Sequence, residues 1–291
     1  MTTTEQSAES TTVAQHSEGE FRTADGLKLY RQTFVPETVR ANVVFLHGFL
    51  DHSSRYLHVF DELNRKGIAL YTYDMRGHGR SEGRRGHVRS YDQFDSDLGI
   101  FLELVGKEIG ETAPFLLAHS NGALVGTRFL LEQPAAVRGV VYSSPYFQNA
   151  IKPNILELFL AHVVGRAIPV LPITAPLPVT ALTHDPEWLE RAEQDPLRGR
   201  KLTPGWYRSL LATQAEVTPR AAEFKLPLLI VQAGDDKVAN PPASKQFSEA
   251  CGSEDKEYRE CPGLYHEVFM ESPDKRNEII DTVVSWFVER M

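Results

Sequence analysis

Three residue types that cooperate in acyl chemistry sit just beyond short apolar runs: a serine at 120, aspartates at 235 and 236, and a histidine at 266. Ser120 lies in Leu116-Leu117-Ala118-His119-Ser120-Asn121-Gly122-Ala123, an apolar run that ends in a small-x-Ser-x-small turn and continues into a helix-like stretch to Glu132. A serine on so sharp a strand-to-helix turn is held above a sheet, and small residues two before and two after it relieve the crowding. Ala118 stands where glycine is usual, a modest steric cost. Alone, the segment reads equally well as a buried strand feeding a helix, so its neighbours must decide. Serine is a weak nucleophile until an imidazole takes its proton, and the same imidazole must then protonate the leaving group. His266, in Gly263-Leu264-Tyr265-His266-Glu267, is assigned that part. A carboxylate must fix the imidazole's tautomer and help bear its charge; Asp236 is the choice and Asp235 the rival. The oxyanion of a tetrahedral intermediate needs donors, for which the backbone N–H groups of Asn121 and Phe49 are the candidates.

These residues need a frame that brings distant segments together. Glu20 to Arg22 and Leu27 to Phe34 read as a hairpin about Asp25-Gly26. Short apolar strands then alternate with amphipathic helices: strands at 43–46, 68–73, 114–119 and 137–142, and helices at 55–65 and 91–109. The alternation stops near Ser144 and resumes with a strand at 228–231, a helix at 243–250, a strand near 258–260 and a closing helix at 275–290. Continuous apolar strands between helices imply an α/β fold, a mostly parallel sheet with helices on both faces. In such sheets ligands bind beyond the carboxyl ends of the strands, which is where the loops bearing Phe49, Ser120, Asp236 and His266 emerge. The expected organisation is a disordered tail over 1–19, a core over 20–147 and 206–291, and a cap over 148–205 inserted after the sixth strand.

The match to known sequences runs from about Glu20 to the C-terminus. His47-Gly48-Phe49-Leu50-Asp51-His52-Ser53-Ser54-Arg55-Tyr56, Asp74-Met75-Arg76-Gly77-His78-Gly79-Arg80-Ser81, Leu182-Thr183-His184-Asp185, Asp195-Pro196-Leu197 and Tyr265-His266-Glu267 carry it. The chain resembles the monoacylglycerol lipase and lysophospholipase branch of the α/β-hydrolases, a group also described as serine aminopeptidase-like. The resemblance implies Ser120, Asp236 and His266 as a triad, with Phe49 and Asn121 as oxyanion donors; the Asp-x-Val pattern of Asp236-Lys237-Val238 favours Asp236. Two departures are Ala118 for glycine and Asn121 for the methionine common after the serine. The implied activity is hydrolysis of a carboxylic ester with a medium or long acyl chain, without metal or organic cofactor.

Other readings stay open. A short-chain carboxylesterase or a perhydrolase would use the same three residues, a peptidase would need a site for a free amino terminus, and a non-catalytic scaffold would normally have lost a triad member. An aspartate nucleophile, as in haloalkane dehalogenases or epoxide hydrolases, is ruled out by serine at 120. His47 and His78 read as holding loop backbone in shape, His119 as packing away from the site, and Asp74 with Arg76 as a structural pair. Arg80 to Arg89 reads as a solvated face, with a phosphate head group as the alternative. Leu156, Phe159, Leu160 and Val163 are expected to line an acyl tunnel, while Trp206 and Tyr207 read as packing.

Composition bounds the partners. With 31 Lys and Arg against 39 Asp and Glu, the formal charge is −8 and no dense basic block occurs, so nucleic acid is excluded as a partner. Two cysteines, Cys251 and Cys261, do not make a disulfide framework, which points to the cytoplasm. Residues 155–179 are apolar but interrupted by Glu157, His162, Arg166 and four prolines, so a spanning helix is not expected. An apolar cap would still allow peripheral contact with a membrane.

Overall fold

The computed structural model describes residues 15–110, 112–151, 155–175 and 178–291, with the side chains of 155–158, 160 and 161 excepted. In chain order the strands and helices are β1 (Gln15–Arg22), β2 (Lys28–Val35), β3 (Ala41–Leu46), α1 (Leu57–Arg65), β4 (Ile68–Tyr73), α2 (Asp92–Ile109), β5 (Phe115–His119), α3 (Asn121–Glu132) and β6 (Val140–Ser143). Then come α4 (Ile155–Ala167), β7 (Ile173–Thr174), α5 (Pro186–Gln194), β8 (Lys201–Leu202), α6 (Pro204–Val217), β9 (Leu228–Ala233), α7 (Pro241–Ala250), β10 (Lys256–Cys261) and α8 (Pro273–Val288).

Eight strands form one sheet in the order β1-β2-β4-β3-β5-β6-β9-β10. β1 and β2 run antiparallel to each other, and β2 antiparallel to β4; all other pairings are parallel. The inner strands β3, β4, β5, β6 and β9 are almost wholly buried, which is why they are continuous apolar runs. One face packs against α2, α3 and α6 through Phe94, Phe101, Leu124, Phe129 and Leu210. The other packs against α1 and α8 through Val59, Phe60, Ile280, Val283 and Phe287. This is the α/β-hydrolase architecture, with helical elements inserted between the sixth strand and β9.

The N-terminal edge departs from expectation. Residues 15–19, read as tail, are the first half of β1 and pair with β2 from Gln15 opposite Val35 onward. Their polar composition hid the strand, because an edge strand with both faces largely solvated shows no apolar alternation. His16 stacks on Phe34 at 4.4 Å and Ser17 Oγ lies 2.6 Å from Thr33 Oγ1, so cross-strand contacts hold it. The remainder of the expected tail, residues 1–14, lies outside the described residues.

The connection between β6 and β9 is held over the strand ends by capped helices. Asp185 accepts hydrogen bonds from the Glu187 and Trp188 amides at the start of α5, and Thr203 from the Trp206 amide at the start of α6. Pro186 and Pro204 occupy the first helical positions, where no amide donor is needed. α6 begins at Pro204 and so crosses the boundary drawn at residue 205, while Trp206, Leu210 and Val217 join the core beneath. Among the described residues no helix is long and apolar enough to cross a membrane.

Candidate active site

Ser120 stands between β5 and α3 with φ 53° and ψ −117°, a backbone conformation that non-glycine residues rarely adopt. The turn is locked from both sides. Its amide donates to the Ser143 carbonyl at 2.9 Å, and its carbonyl accepts from the amides of Ala123 and Tyr146, each at 3.1 Å. α3 leaves the turn against the end of β3, where a Cβ at Gly122 would lie 2.6 Å from the His47 carbonyl oxygen and 2.7 Å from that of Leu46. Only glycine fits there. Leu50 (φ 61°) and Ser144 (φ 44°) are the other described non-glycine residues with positive φ, so the strained backbone gathers on loops beyond β3, β5 and β6.

His266, on the loop after β10, places Nε2 2.8 Å from Ser120 Oγ and Nδ1 2.7 Å from Asp236 Oδ2. With Nδ1–H donating to the carboxylate, Nε2 is free to accept the serine proton. Asp236 is itself pinned. Its Oδ1 accepts from the amides of Val238 at 2.8 Å and Ala239 at 2.9 Å, and Gln232 Nε2 donates to Oδ2 at 3.2 Å. Asp235 is exposed and makes no such contact with the imidazole. Burial works against a charged imidazole at His266, yet the charge and hydrogen bond of Asp236, aided by Glu267 and Asp51, outweigh it and raise the pKa.

Asn121 is the first residue of α3, where amides have no intrahelical acceptor, and Phe49 lies on the loop beyond β3. Asn121 directly follows Ser120, and Phe49 follows Gly48, where a Cβ would lie 3.3 Å from that of Ser120, so both residues adjoin the nucleophile. The Phe49 ring stacks on Trp206 with centroids 3.4 Å apart and meets His78 edge-on at 5.3 Å. Trp206 thus braces the loop and also lines the cavity, as does Tyr207, so neither is packing alone.

The cavity measures about 850 Å³ and is lined near its floor by Ser120, His119 and His266. That is large enough for a drug-sized or lipid-like ligand. One end is charged: Arg55 forks onto Glu267 at 2.8 and 2.7 Å and bonds Asp51 at 2.9 Å, and Tyr56 donates to Asp51 at 2.6 Å. Bidentate pairing of this kind suits a buried guanidinium. His119, expected to point away, lines the cavity with its ring 4.9 Å from that of His266. Burial, then the neighbouring His266, pushes its pKa down to about 4.

The loop histidines serve the backbone. His47 Nδ1 donates to the Gly48 carbonyl at 2.7 Å while Nε2 accepts from the Met75 amide at 2.8 Å, and His78 Nδ1 donates to the Arg76 carbonyl at 2.9 Å. Burial depresses both, His78 to about 3. Arg76 is clamped between Asp97 and Asp25, and Asp74 accepts from the Ser53 amide at 2.9 Å and the Arg80 amide at 2.8 Å. None of the residues from Arg80 to Arg89 lines the cavity.

The expected acyl-tunnel residues need correction. Phe159 is 60% exposed and Val163 43% exposed, and neither lines the cavity. They are exposed on α4, whose polar residues Glu157, His162 and Arg166 do not gather on one side, so its sequence could not distinguish an outward face from an inward one. The side chains of Leu156 and Leu160 lie outside the described residues. Apolar lining comes instead from Ile151, Pro178, Val179, Leu182, Leu202 and Val238. Sequence reasoning also missed Tyr146 and Arg198, which no motif marks.

Comparison with known proteins agrees with this geometry. The family described as "Serine aminopeptidase, S33" matches residues 37–273. A monoacylglycerol lipase of Mycolicibacterium smegmatis is 30% identical over 279 residues, covering 94% of this chain and 98% of that protein. A phospholipase of Bacillus subtilis is 30% identical over 233 residues, covering 79% of this chain and 89% of its own. The crystal structure of a Paleococcus ferrophilus monoacylglycerol lipase superposes with a TM-score of 0.81 at 28% identity, covering 95% of this chain and all of that one.

Proposed function

This chain belongs to the family described as serine aminopeptidase, S33, as a carboxylic ester hydrolase of the α/β-hydrolase fold, and on that premise we propose that it cleaves monoacylglycerols or lysophospholipids through an acyl-enzyme on Ser120. The observation that carries this reading is the unbroken relay from Ser120 Oγ through His266 to Asp236, at 2.8 and 2.7 Å. Ser120 attacks the ester carbonyl while His266 Nε2 takes its proton, and Asp236 holds the imidazole in the accepting tautomer and stabilises the imidazolium. The Phe49 and Asn121 amides receive the oxyanion, each such donor being worth about 2.7–4 kcal/mol. Collapse of the intermediate expels the alcohol with the proton from His266. Water, activated by the same imidazole, then releases the fatty acid.

Ester cleavage fits the cavity better than removal of an N-terminal amino acid. The buried carboxylates Asp51 and Glu267 are both engaged by Arg55, so the lining carboxylate left to meet a free ammonium group among the described residues is the exposed Glu193, which has no buried site around it. The names of the relatives, a monoacylglycerol lipase and a phospholipase, support a lipid ester. So does the outward apolar face formed by Phe159, Val163, Ile168, Val170 and Leu171, which suits peripheral contact with a lipid surface. Cys251 and Cys261 are both unpaired, which supports a cytoplasmic placement.

A fluorophosphonate probe tests the nucleophile: wild type is labelled and Ser120→Ala is not. Absence of labelling in folded wild type would favour a scaffold. Turnover across an acyl-length series tests the substrate, with a maximum at medium or long chains expected. A maximum at the shortest chains, without activation by a lipid interface, would reassign the protein to the short-chain esterases.

A further inference from the structure

The charged end of the cavity contains a cation that the fold leaves unengaged. Among the described residues, Arg55, Arg198, Arg200 and Lys237 line the cavity against Asp51, Glu193 and Glu267, a cationic excess in a chain whose formal charge is −8. Three of the four cations have contacts that account for them. Arg55 is bound to Asp51 and Glu267, Lys237 bonds the Tyr265 hydroxyl at 2.5 Å from above its ring, and Arg200 donates to the Glu193 carbonyl. The half-buried Arg198 side chain has no hydrogen-bond or ion-pair partner among the described residues.

The backbone on either side of it is nonetheless tied down. The segment before it is tied down by Asp195, which bonds His52 Nε2 at 2.7 Å and accepts from the Leu197 amide at 2.8 Å. The residue after it, Gly199, donates its amide to the Leu50 carbonyl at 2.9 Å, and a Cβ there would lie 2.6 Å from the Leu50 side chain. The backbone that carries Arg198 is therefore tied through Gly199 to Leu50, the residue that follows the Phe49 oxyanion donor. Glu267, Asp51 and Arg55 are its electrostatic neighbours, and Glu267 directly follows His266. Burial lowers the Arg198 pKa and the repulsion of Arg55 and Arg200 adds to it, so Glu267 and Asp51 do not fully compensate the charge.

His266 must reach the leaving-group oxygen to protonate it, so the alcohol part of an ester lies on the His266 side of the cavity, where this charged end begins. We propose that Arg198 binds a phosphate carried by that alcohol, making this a specificity-determining residue that favours phosphate-bearing lysolipids over neutral monoacylglycerols. The proposal rests on the ester-hydrolase reading above and narrows its substrate class. A guanidinium suits the role because its planar fork meets two phosphate oxygens at once, whereas an ammonium offers a single point of charge.

The test compares a monoacylglycerol phosphate with the monoacylglycerol of the same acyl chain. Wild type is expected to have the higher kcat/KM on the phosphate ester. In Arg198→Gln the ratio of the two values falls by roughly tenfold or more, the size expected for loss of a charge-assisted contact, mainly through KM. Arg198→Lys falls between them. A wild-type preference for the neutral ester, or a ratio unchanged in Arg198→Gln because both substrates suffer alike, would overturn the proposal and leave Arg198 as a distant counter-ion to Asp51 and Glu267. A second measurement does not depend on turnover: protection of Ser120 from fluorophosphonate labelling. Glycerol phosphate should protect wild type better than glycerol or inorganic phosphate does, and this advantage should shrink in Arg198→Gln. Equal protection by inorganic phosphate would overturn it in favour of a general anion site. If neither ester is hydrolysed, the ester-lipid reading fails while protection still decides the role of Arg198.

Discussion

Asp235 and Asp236 are adjacent and chemically identical, yet their surroundings separate them. Asp236 is buried under two backbone amides and the imidazole, while Asp235 faces solvent. Asp236→Asn should lower kcat by about 10⁴, the loss typical when a triad aspartate can no longer hold the accepting tautomer, and Asp235→Asn should stay near wild type. Steady-state kinetics on one soluble ester separates the two outcomes. The pH profile follows from the same contact. The imidazole must be neutral to accept a proton, so activity is full above the folded pKa of His266 and is lost as pH falls through it. Because Asp236 raises that pKa above the ordinary 6.5, the acidic limb of kcat/KM should have its midpoint above 6.5. Asp236→Asn removes the raising charge and leaves burial, so the limb of the residual activity should move to lower pH.

The turn between β5 and α3 is the element on which reactivity depends, and its tightest point is not the serine. Gly122 faces the last carbonyls of β3 so closely that any side chain must push α3 away. Gly122→Ala should destabilise the protein by about 1–3 kcal/mol, as overpacking of a filled site does. It should also lower kcat more than KM, because the displaced helix carries the Asn121 amide. Denaturant melts and kinetics on the same sample test both; unchanged stability with unchanged kcat would show that α3 can shift freely. Elements also explain where sequence periodicity failed. β1 is an edge strand held by β2 rather than by burial, so its polar residues carry no alternation. The polar residues of α4, Glu157, His162 and Arg166, do not gather on one side, so its own sequence does not tell which face looks outward.

As a whole, the molecule combines a net negative charge with large apolar residues exposed to solvent. The exposed residues Phe159, Ile168 and Leu171 sit on the elements that follow β6, while the formal charge is −8. Binding to vesicles should therefore depend on apolar burial and change little with added salt, unlike binding driven by a basic patch. The combined variant Phe159→Ser, Ile168→Ser, Leu171→Ser should reduce cosedimentation with neutral vesicles and slow hydrolysis of dispersed long-chain esters. Its turnover of a dissolved short-chain ester should match wild type. Equal losses on both kinds of substrate would mean that these residues stabilise the fold instead of meeting lipid.

Short-range information was enough for the α/β alternation, and the loops bearing Asp236 and His266 in that alternation were what singled out the turn at Ser120. Buried strands, amphipathic helices and a crowded turn each impose demands that nearby residues must meet. What pins Asp236, which only a local resemblance had favoured over Asp235, the outward direction of Phe159 and Val163, and the Arg198 guanidinium left without a partner among the described residues could not be read that way. Each depends on what a distant segment places beside the residue: the imidazole of a loop 30 positions further on, the packing of α4 against its neighbours, and a chain tie between Gly199 and Leu50. Burial, charge compensation and orientation are properties of contacts between remote segments, and they come into being only when the chain has closed on itself.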